Sequence, residues 1–257
     1  MLFKKTLDQQ LLKQPKDIFF CKKCVISNQR PRITFNAEGV CSACQYAELK
    51  RVSIDWKKRE QEMFALLDKY RSKDGSYDCI VPGSGGKDSA SVAHQLKFKY
   101  GMHPLTITWA PFIYTDIGWR NYVAFKDSGF DNLLFFPNGT MHRKLSRLAF
   151  ELVGDNFLPF IFGQKAYAFH TAVKFGIPLI FYGESGEVEY GGSTKNMNKS
   201  HEGIEDWKEL YFKGTALNDL VDAHLAVQPQ LEDLRLPLPL RGLLAVLTGP
   251  GVDLGLP

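Results

Sequence analysis

The sequence predicts an α/β fold: a parallel sheet with helices on both faces, preceded by a small N-terminal module built on four cysteines. Three observations predict it. Short apolar runs alternate with helix-like segments between residues 54 and 182. A glycine-rich turn, Pro82-Gly83-Ser84-Gly85-Gly86-Lys87-Asp88-Ser89, joins one apolar run to the next helix. Two Cys-x-x-Cys pairs stand upstream of both. Strands separated by helices call for parallel pairing with both sheet faces covered, and ligands in such folds sit beyond the carboxyl ends of the strands.

The cysteines come first in the chain. Cys21-Lys22-Lys23-Cys24 and Cys41-Ser42-Ala43-Cys44 enclose sixteen residues, a spacing at which four thiolates can surround one ion. A structural Zn²⁺ fits this pattern, since all four positions are filled and none is left for water. Lys22 and Lys23 would lower thiolate pKa values and offset the charge of the site. A disulfide pair without metal, or an iron–sulfur cluster, would use the same residues.

Helical spacing follows over residues 54–70, with Lys57, Lys58, Arg59, Glu60 and Glu62 on a charged face. Residues 78–81 read as a short buried strand, with Cys79 as an inert buried thiol. Residues 90–100 read as the crossover helix, ended by Gly101. Strands are expected at 105–109, 132–136 and 178–182, and helices at 121–128 and 157–175.

The glycine-rich turn carries the chemistry. A strand that breaks into glycines and restarts as a helix aims several N–H groups, and the positive end of the helix dipole, at one point suited to phosphate. Walker A is excluded, because Val81 stands five before Gly86 and Asp88 follows Lys87. Gly85 and Gly86 would let backbone approach pyrophosphate, Ser84 and Ser89 would donate to its oxygens, and Lys87 would supply a cation. Asp88 would either help hold Mg²⁺ or orient the loop through backbone N–H groups. An ordinary Gly/Ser turn is the bland alternative.

After the last strand comes Gly183-Glu184-Ser185-Gly186-Glu187-Val188-Glu189-Tyr190-Gly191-Gly192. Its three glutamates read as metal or substrate ligands, Glu184 first among them, or else as a solvated acidic turn. Thr115 and Asp116, His142-Arg143-Lys144, and Gln164 with Lys165 are further candidates. The bland readings are an exposed helix start for the basic triplet and a satisfied core amide for Gln164.

Composition agrees with a cytoplasmic enzyme. The 257 residues, 44% hydrophobic, suffice for one core and an appendage, and residues 1–14 alternate charge with Leu where a signal peptide would be apolar. A net charge of +4 suits a nucleotide substrate and falls short of a nucleic-acid footprint.

The turn at Ser84–Ser89 resembles the Ser-Gly-Gly-x-Asp-Ser loop of the PP-loop ATP pyrophosphatases. That resemblance implies an adenine nucleotide alpha hydrolase-like fold and cleavage of ATP between its α- and β-phosphates. A narrower one rests on the Cys₄ segment, this loop, Thr108-Trp109-Ala110-Pro111, Tyr114-Thr115-Asp116-Ile117-Gly118, Ser128-Gly129-Phe130-Asp131-Asn132, Phe160-Ile161-Phe162-Gly163-Gln164 and Gly183-Glu184 with Glu189-Tyr190-Gly191. In combination these resemble the bacterial N-acetyl sugar amidotransferases of lipopolysaccharide, O-antigen and glycan biosynthesis.

The resemblance implies ATP-dependent conversion of an acetamido group on a nucleotide sugar to an acetamidino group. Lys87, Asp88 and Glu184 would be catalytic, and Thr115, Asp116, Gln164, Glu187, Glu189 and Tyr190 would face substrate. Ammonia would come from a separate glutaminase, through a cyclase-like barrel partner that channels it. The alternative is tRNA thiolation by a PP-loop enzyme, which tends to need more cysteines and a denser basic stripe.

Three segments are expected: 1–60 with the zinc module, 61–225 with the nucleotide domain, and 226–257 as a divergent or truncated tail. The last rests on composition, since no aromatic residue follows Phe212 and no lysine follows Lys213.

Overall fold

The computed structural model describes residues 14–183, 185–197, 199, 201, 206 and 211. Within them the N-terminal segment makes two tight knuckles. Phe20 pairs antiparallel with Ser27 and Phe35 with Cys41, so each turn presents cysteines to the same centre. Helix α1 (Ser42–Val52) starts inside the second cysteine pair. Helix α2 (Trp56–Tyr70) begins where Asp55 accepts N–H bonds from Lys57 and Lys58, and it runs unbroken through residues 60 and 61.

Strands β1 (Cys79–Pro82), β2 (Pro104–Trp109) and β3 (Asn132–Phe135) form a parallel sheet in the order β1-β2-β3. Alternation of side chains along β1 divides the core. Cys79 and Val81 face Leu67 of α2, Ala93 of helix α3 (Lys87–His94) and Phe125 of helix α4 (Asp116–Asp127). Ile80, with Leu105 and Ile107 of β2, faces Ala168 and Ala172 of helix α6 (Leu158–Phe175). Both sheet faces are therefore covered. Helix α5 (Gly139–Val153), capped by Asn138 and closed by Gly154 at φ 74°, packs on α6.

The strand expected at 178–182 is reduced to one parallel bridge, Ile80 with Ile180. Ile80 N–H donates to Leu179 O and Phe181 N–H donates to Ile80 O, both at 2.8 Å. The next bond of that ladder would need an N–H at position 82. Proline has none, so pairing stops there.

Two boundaries also shift. Helix α3 starts at Lys87 instead of residue 90, because the extended backbone of Gly86 is its N-cap, and beyond His94 it widens into a π-helical turn, Gln95–Lys99. Helix α4 starts at Asp116 instead of residue 121, because the Thr115 hydroxyl accepts from Gly118 N–H at 3.0 Å. Residues 226–257 lie outside the described residues.

Candidate nucleotide site and cysteine cluster

β1, β2 and the 180 segment all point their carboxyl ends into a cavity of about 360 Å³. Its wall combines a polar set, Ser84, Gly86, Asp88, Ser89 and Gly183, with an aromatic set, Trp109, Phe157, Tyr167 and Tyr182. Gln164 and Lys165 lie on the wall contributed by α6. Gly163, one residue earlier, is where the Trp109 indole rests on the helix; a Cβ there would overlap the ring.

The glycines of the loop divide by role. Gly85 has φ 86°, and a Cβ on it would stand 2.6 Å from Asn121 O in α4. A Cβ on Gly83 would stand 2.9 Å from Ser89 Cβ, and one on Gly183 would stand 2.9 Å from the backbone of Asp88 and Ser89. These three glycines let α4, the loop and the 183 segment close on one another. Gly86 is different. Its Cβ position meets only Ser84 Oγ, at 3.8 Å, and no side chain caps the helix turn that begins there. The open space above that turn can seat an anion.

A buried polar relay sits under the loop. The Tyr122 hydroxyl donates to Asn132 Oδ1 at 2.8 Å, Asn132 Nδ2 donates to the hydroxyls of Thr106 and Thr108, and Thr108 Oγ1 donates to Gly83 O at 2.6 Å. Gly83 N–H donates in turn to Ile107 O at 2.9 Å. Both backbone polar groups of Gly83 are thus held by β2. Thr106 and Thr108 were not among the expected site residues, although two hydroxyls at period two in an otherwise apolar strand are a visible signal.

The structure brings Ser84, Gly86, Asp88, Ser89 and Gln164 to the cavity wall. Gln164 is exposed there, so the core-amide reading of it does not hold. Ser89 Oγ donates to Gly86 O at 3.2 Å. Lys87 is exposed at the first position of α3, with Nζ 2.6 Å from Asp88 Oδ1, and it is not on the wall. Lys165 is buried, its ammonium 4.0 Å from the Tyr182 ring and 4.1 Å from the Tyr211 ring.

Other expected residues go elsewhere. Thr115 is a helix cap, and Asp116 is the first residue of α4. Glu187 and Glu189 lie on a short helix, α7 (Gly186–Glu189), and turn towards the cysteine module: Glu187 to Arg32 at 2.5 Å and Glu189 to Lys50 at 3.2 Å. Burial opposes the Glu187 charge, but Arg32 and Ser193 N–H outweigh it and hold the carboxyl below its ordinary range. Tyr190 follows that helix at the surface and is not on the wall. Glu184 lies outside the described residues. His142 is buried in α5 instead of opening an exposed helix; its ring stacks on Phe112 at 4.0 Å, neither nitrogen has a partner, and burial lowers its pKa.

Cys21, Cys24, Cys41 and Cys44 place their sulfurs within 4.8 Å of one another, and all are free thiols. Cys24 and Cys41 sulfurs are 3.7 Å apart, the edge expected of a tetrahedron with metal–sulfur bonds of about 2.3 Å. Burial and the sulfurs of Cys24 and Cys41 push Cys44 up to about 12. Burial works against the Cys21 thiolate too, but N–H groups of Cys41, Lys23 and Cys24 outweigh it and bring that thiol down to about 6. Four sulfurs so close cannot all ionise without a cation among them, and the cluster can hold one metal ion. Cys79 is fully buried in β1, where burial and then Asp78 push its thiol up.

No protein-family profile matches the chain. It is similar to an uncharacterized protein of Methanocaldococcus jannaschii, 30% identical over 89 residues, which are 34% of this chain and 31% of that protein. The chain thus spans about a third of the length of the relative it matches. Among solved structures it is similar to the NH3-dependent NAD synthetase from Campylobacter jejuni in complex with the nitrate ion, at 14% identity and a TM-score of 0.42, over 76% of this chain and 92% of that one. Among the described residues, no helix is long and apolar enough to cross a membrane.

Proposed function

We propose that the chain is an ATP pyrophosphatase of the PP-loop type that activates an amide oxygen for amination. The observation that carries this reading is the uncapped first turn of α3, which opens at Gly86 onto a cavity at the carboxyl end of β1. In this reading the N–H groups of that turn and the hydroxyls of Ser84 and Ser89 hold the departing pyrophosphate, with Lys87 at its outer edge. The aromatic side chains of the cavity wall take the adenine. Bound Mg²⁺ would spread the charge that builds on pyrophosphate, with Asp88 and Glu184 as its ligands.

The acceptor in this reading is an N-acetyl group on a nucleotide sugar. Its amide oxygen attacks the α-phosphorus and pyrophosphate leaves. Ammonia then adds to the imidate carbon, AMP departs with the former amide oxygen, and loss of a proton gives the acetamidino group. Gln164 faces the acceptor. Ammonia reaches the site from a partner glutaminase through a cyclase-like barrel subunit. The tRNA thiolation reading is weaker, because Cys79, the thiol outside the Cys₄ cluster, is sealed in the sheet.

The test is pyrophosphate release from ATP and Mg²⁺ with ammonium chloride at alkaline pH, adding UDP-linked diacetamido sugars or bulk unmodified tRNA. Sugar-dependent pyrophosphate and AMP that disappear in Ser84→Ala would support this reading. Stimulation by tRNA alone would replace it with thiolation, and no ATP cleavage with either would overturn it.

A further inference from the structure

The segment from Gly183 to Ser193 is pinned at both ends. At its start, Gly183 lies against the backbone of Asp88 and Ser89, so close that a Cβ would stand 2.9 Å away, and Gly186 lines the cavity. At its end, Gly191 has φ 81° and sits in the apolar centre of the cysteine module, where a Cβ would meet Ile33 at 3.1 Å, Ala43 at 3.3 Å and Ile26 at 3.5 Å. Those three residues pack with Cys21, Val40 and Cys41.

Between the two ends stands a bidentate ion pair. Arg32 Nε donates to Glu187 Oε2 at 3.0 Å and its terminal nitrogen donates to Oε1 at 2.5 Å. Glu187 Oε2 also accepts from Ser193 N–H at 2.7 Å, and Glu187 O accepts from Gly192 N–H at 2.6 Å. Glu187 is therefore the knot of the segment, and Arg32 holds it to the module. Arg32 is the one non-glycine among the described residues with positive φ, at 63°, a backbone state that its surroundings must enforce. It lies between the two cysteine pairs, in the part of the chain that a metal would fold.

We infer that Arg32 is a positioning residue through which the Cys₄ module clamps the 183–193 segment against the first turn of α3, so that metal occupancy of the cysteines sets how tightly the cavity holds a polyphosphate nucleotide. The nucleotide part of this inference rests on the proposed function; the clamp does not. It makes the cysteine module a working part of the site, although no cysteine reaches the cavity. Coupling of this kind runs from the sulfur cluster through Ile33 and Arg32 to Glu187, and along the covalent chain to Gly183, which lies against Asp88 and Ser89.

Three readouts on the full chain test it: zinc content, hydrogen exchange of amides 185–193, and affinity for the α,β-methylene analogue of ATP. Arg32→Ala is expected to keep its zinc, lose exchange protection over 185–193, and bind the analogue roughly tenfold more weakly. Arg32→Glu combined with Glu187→Arg is expected to restore protection, whereas either change alone is not. Cys24→Ser with Cys44→Ser should lose zinc and the same protection together. Unchanged protection in zinc-loaded Arg32→Ala would overturn the clamp, as would loss of zinc without loss of protection in the cysteine variant. If the exchange results hold while even the wild-type protein fails to bind the analogue, the clamp stands and the nucleotide reading falls.

Discussion

Thr108 in the middle strand donates its hydroxyl to the carbonyl of Gly83 at 2.6 Å, and by that bond the sheet fixes the first peptide of the glycine-rich loop. Thr108 is 1% exposed, so its hydroxyl is committed to the fold and not to bulk water. Thr108→Val keeps the shape and removes the hydroxyl from which the Gly83 carbonyl accepts. We expect a loss of about 1 to 2 kcal/mol in urea unfolding and weaker nucleotide binding with the fold intact. An unchanged midpoint would mean that the bond does not hold the loop.

The loop glycines give a sharper contrast. Gly85→Ala places a Cβ in a left-handed backbone and against Asn121 O, so it should cost roughly 2 kcal/mol of stability or more. Gly86→Ala adopts an ordinary backbone, and its Cβ meets only Ser84 Oγ, at an ordinary 3.8 Å; its stability should stay within about 1 kcal/mol of wild type. Its affinity for the ATP analogue should fall roughly tenfold, about 1.4 kcal/mol. If both variants lose stability equally, the division of roles between these glycines is wrong.

The parts of the fold legible in the sequence are those whose signal is local. Three strands stand out as apolar runs, and the glycine turn is visible because its signature residues, Pro82 to Ser89, are contiguous. Helix α5 shows in the sequence as no more than an exposed helix start at His142-Arg143-Lys144, although Asn138 and Gly154 bracket a full helix and Leu145, Leu148 and Ala149 bury one face of it. The fourth strand was misjudged because its shortening is caused by Pro82, in a different strand. The setting of the acidic loop is hidden for a similar reason. Glu187 reads in sequence as a ligand or an acidic turn, and its ion pair with Arg32, 155 residues away, shows only in three dimensions. The relay from Tyr122 through Asn132 to Thr108 likewise joins three elements, and only the register of β2 and β3 brings them together.

Metal binding at the four cysteines should depend steeply on pH. The thiols must lose their protons to bind, and Cys41 and Cys44, held up by burial and by the neighbouring sulfurs, carry theirs at neutral pH. Zinc affinity measured against a competing chelator is expected to fall as pH is lowered, roughly tenfold per pH unit for each proton released. A proton release on zinc addition, read with a pH indicator, checks the same point. Affinity that does not change with pH would rule out thiolate coordination by these residues.

His142 offers a prediction about stability alone. Its ring is buried between Phe112 and Phe160, near Trp109, and neither nitrogen has a partner. Burial lowers its pKa in the folded protein below the unfolded value of about 6.5. In the window between those two values the unfolded chain binds more protons, so stability is full above the unfolded pKa and is lost as pH falls towards the folded one. His142→Phe keeps an aromatic ring in the stack, removes two unsatisfied nitrogens and abolishes this titration. At about pH 8 it should match or exceed the wild type, by about 1 kcal/mol at most, and the gap should widen by about pH 5.5. His170, whose pKa burial also lowers, remains in both proteins, so part of the acid loss will persist. Urea midpoints of both proteins at the two pH values decide it: a gap that stays constant or narrows on acidification would show that His142 is not neutral and unpartnered inside the fold.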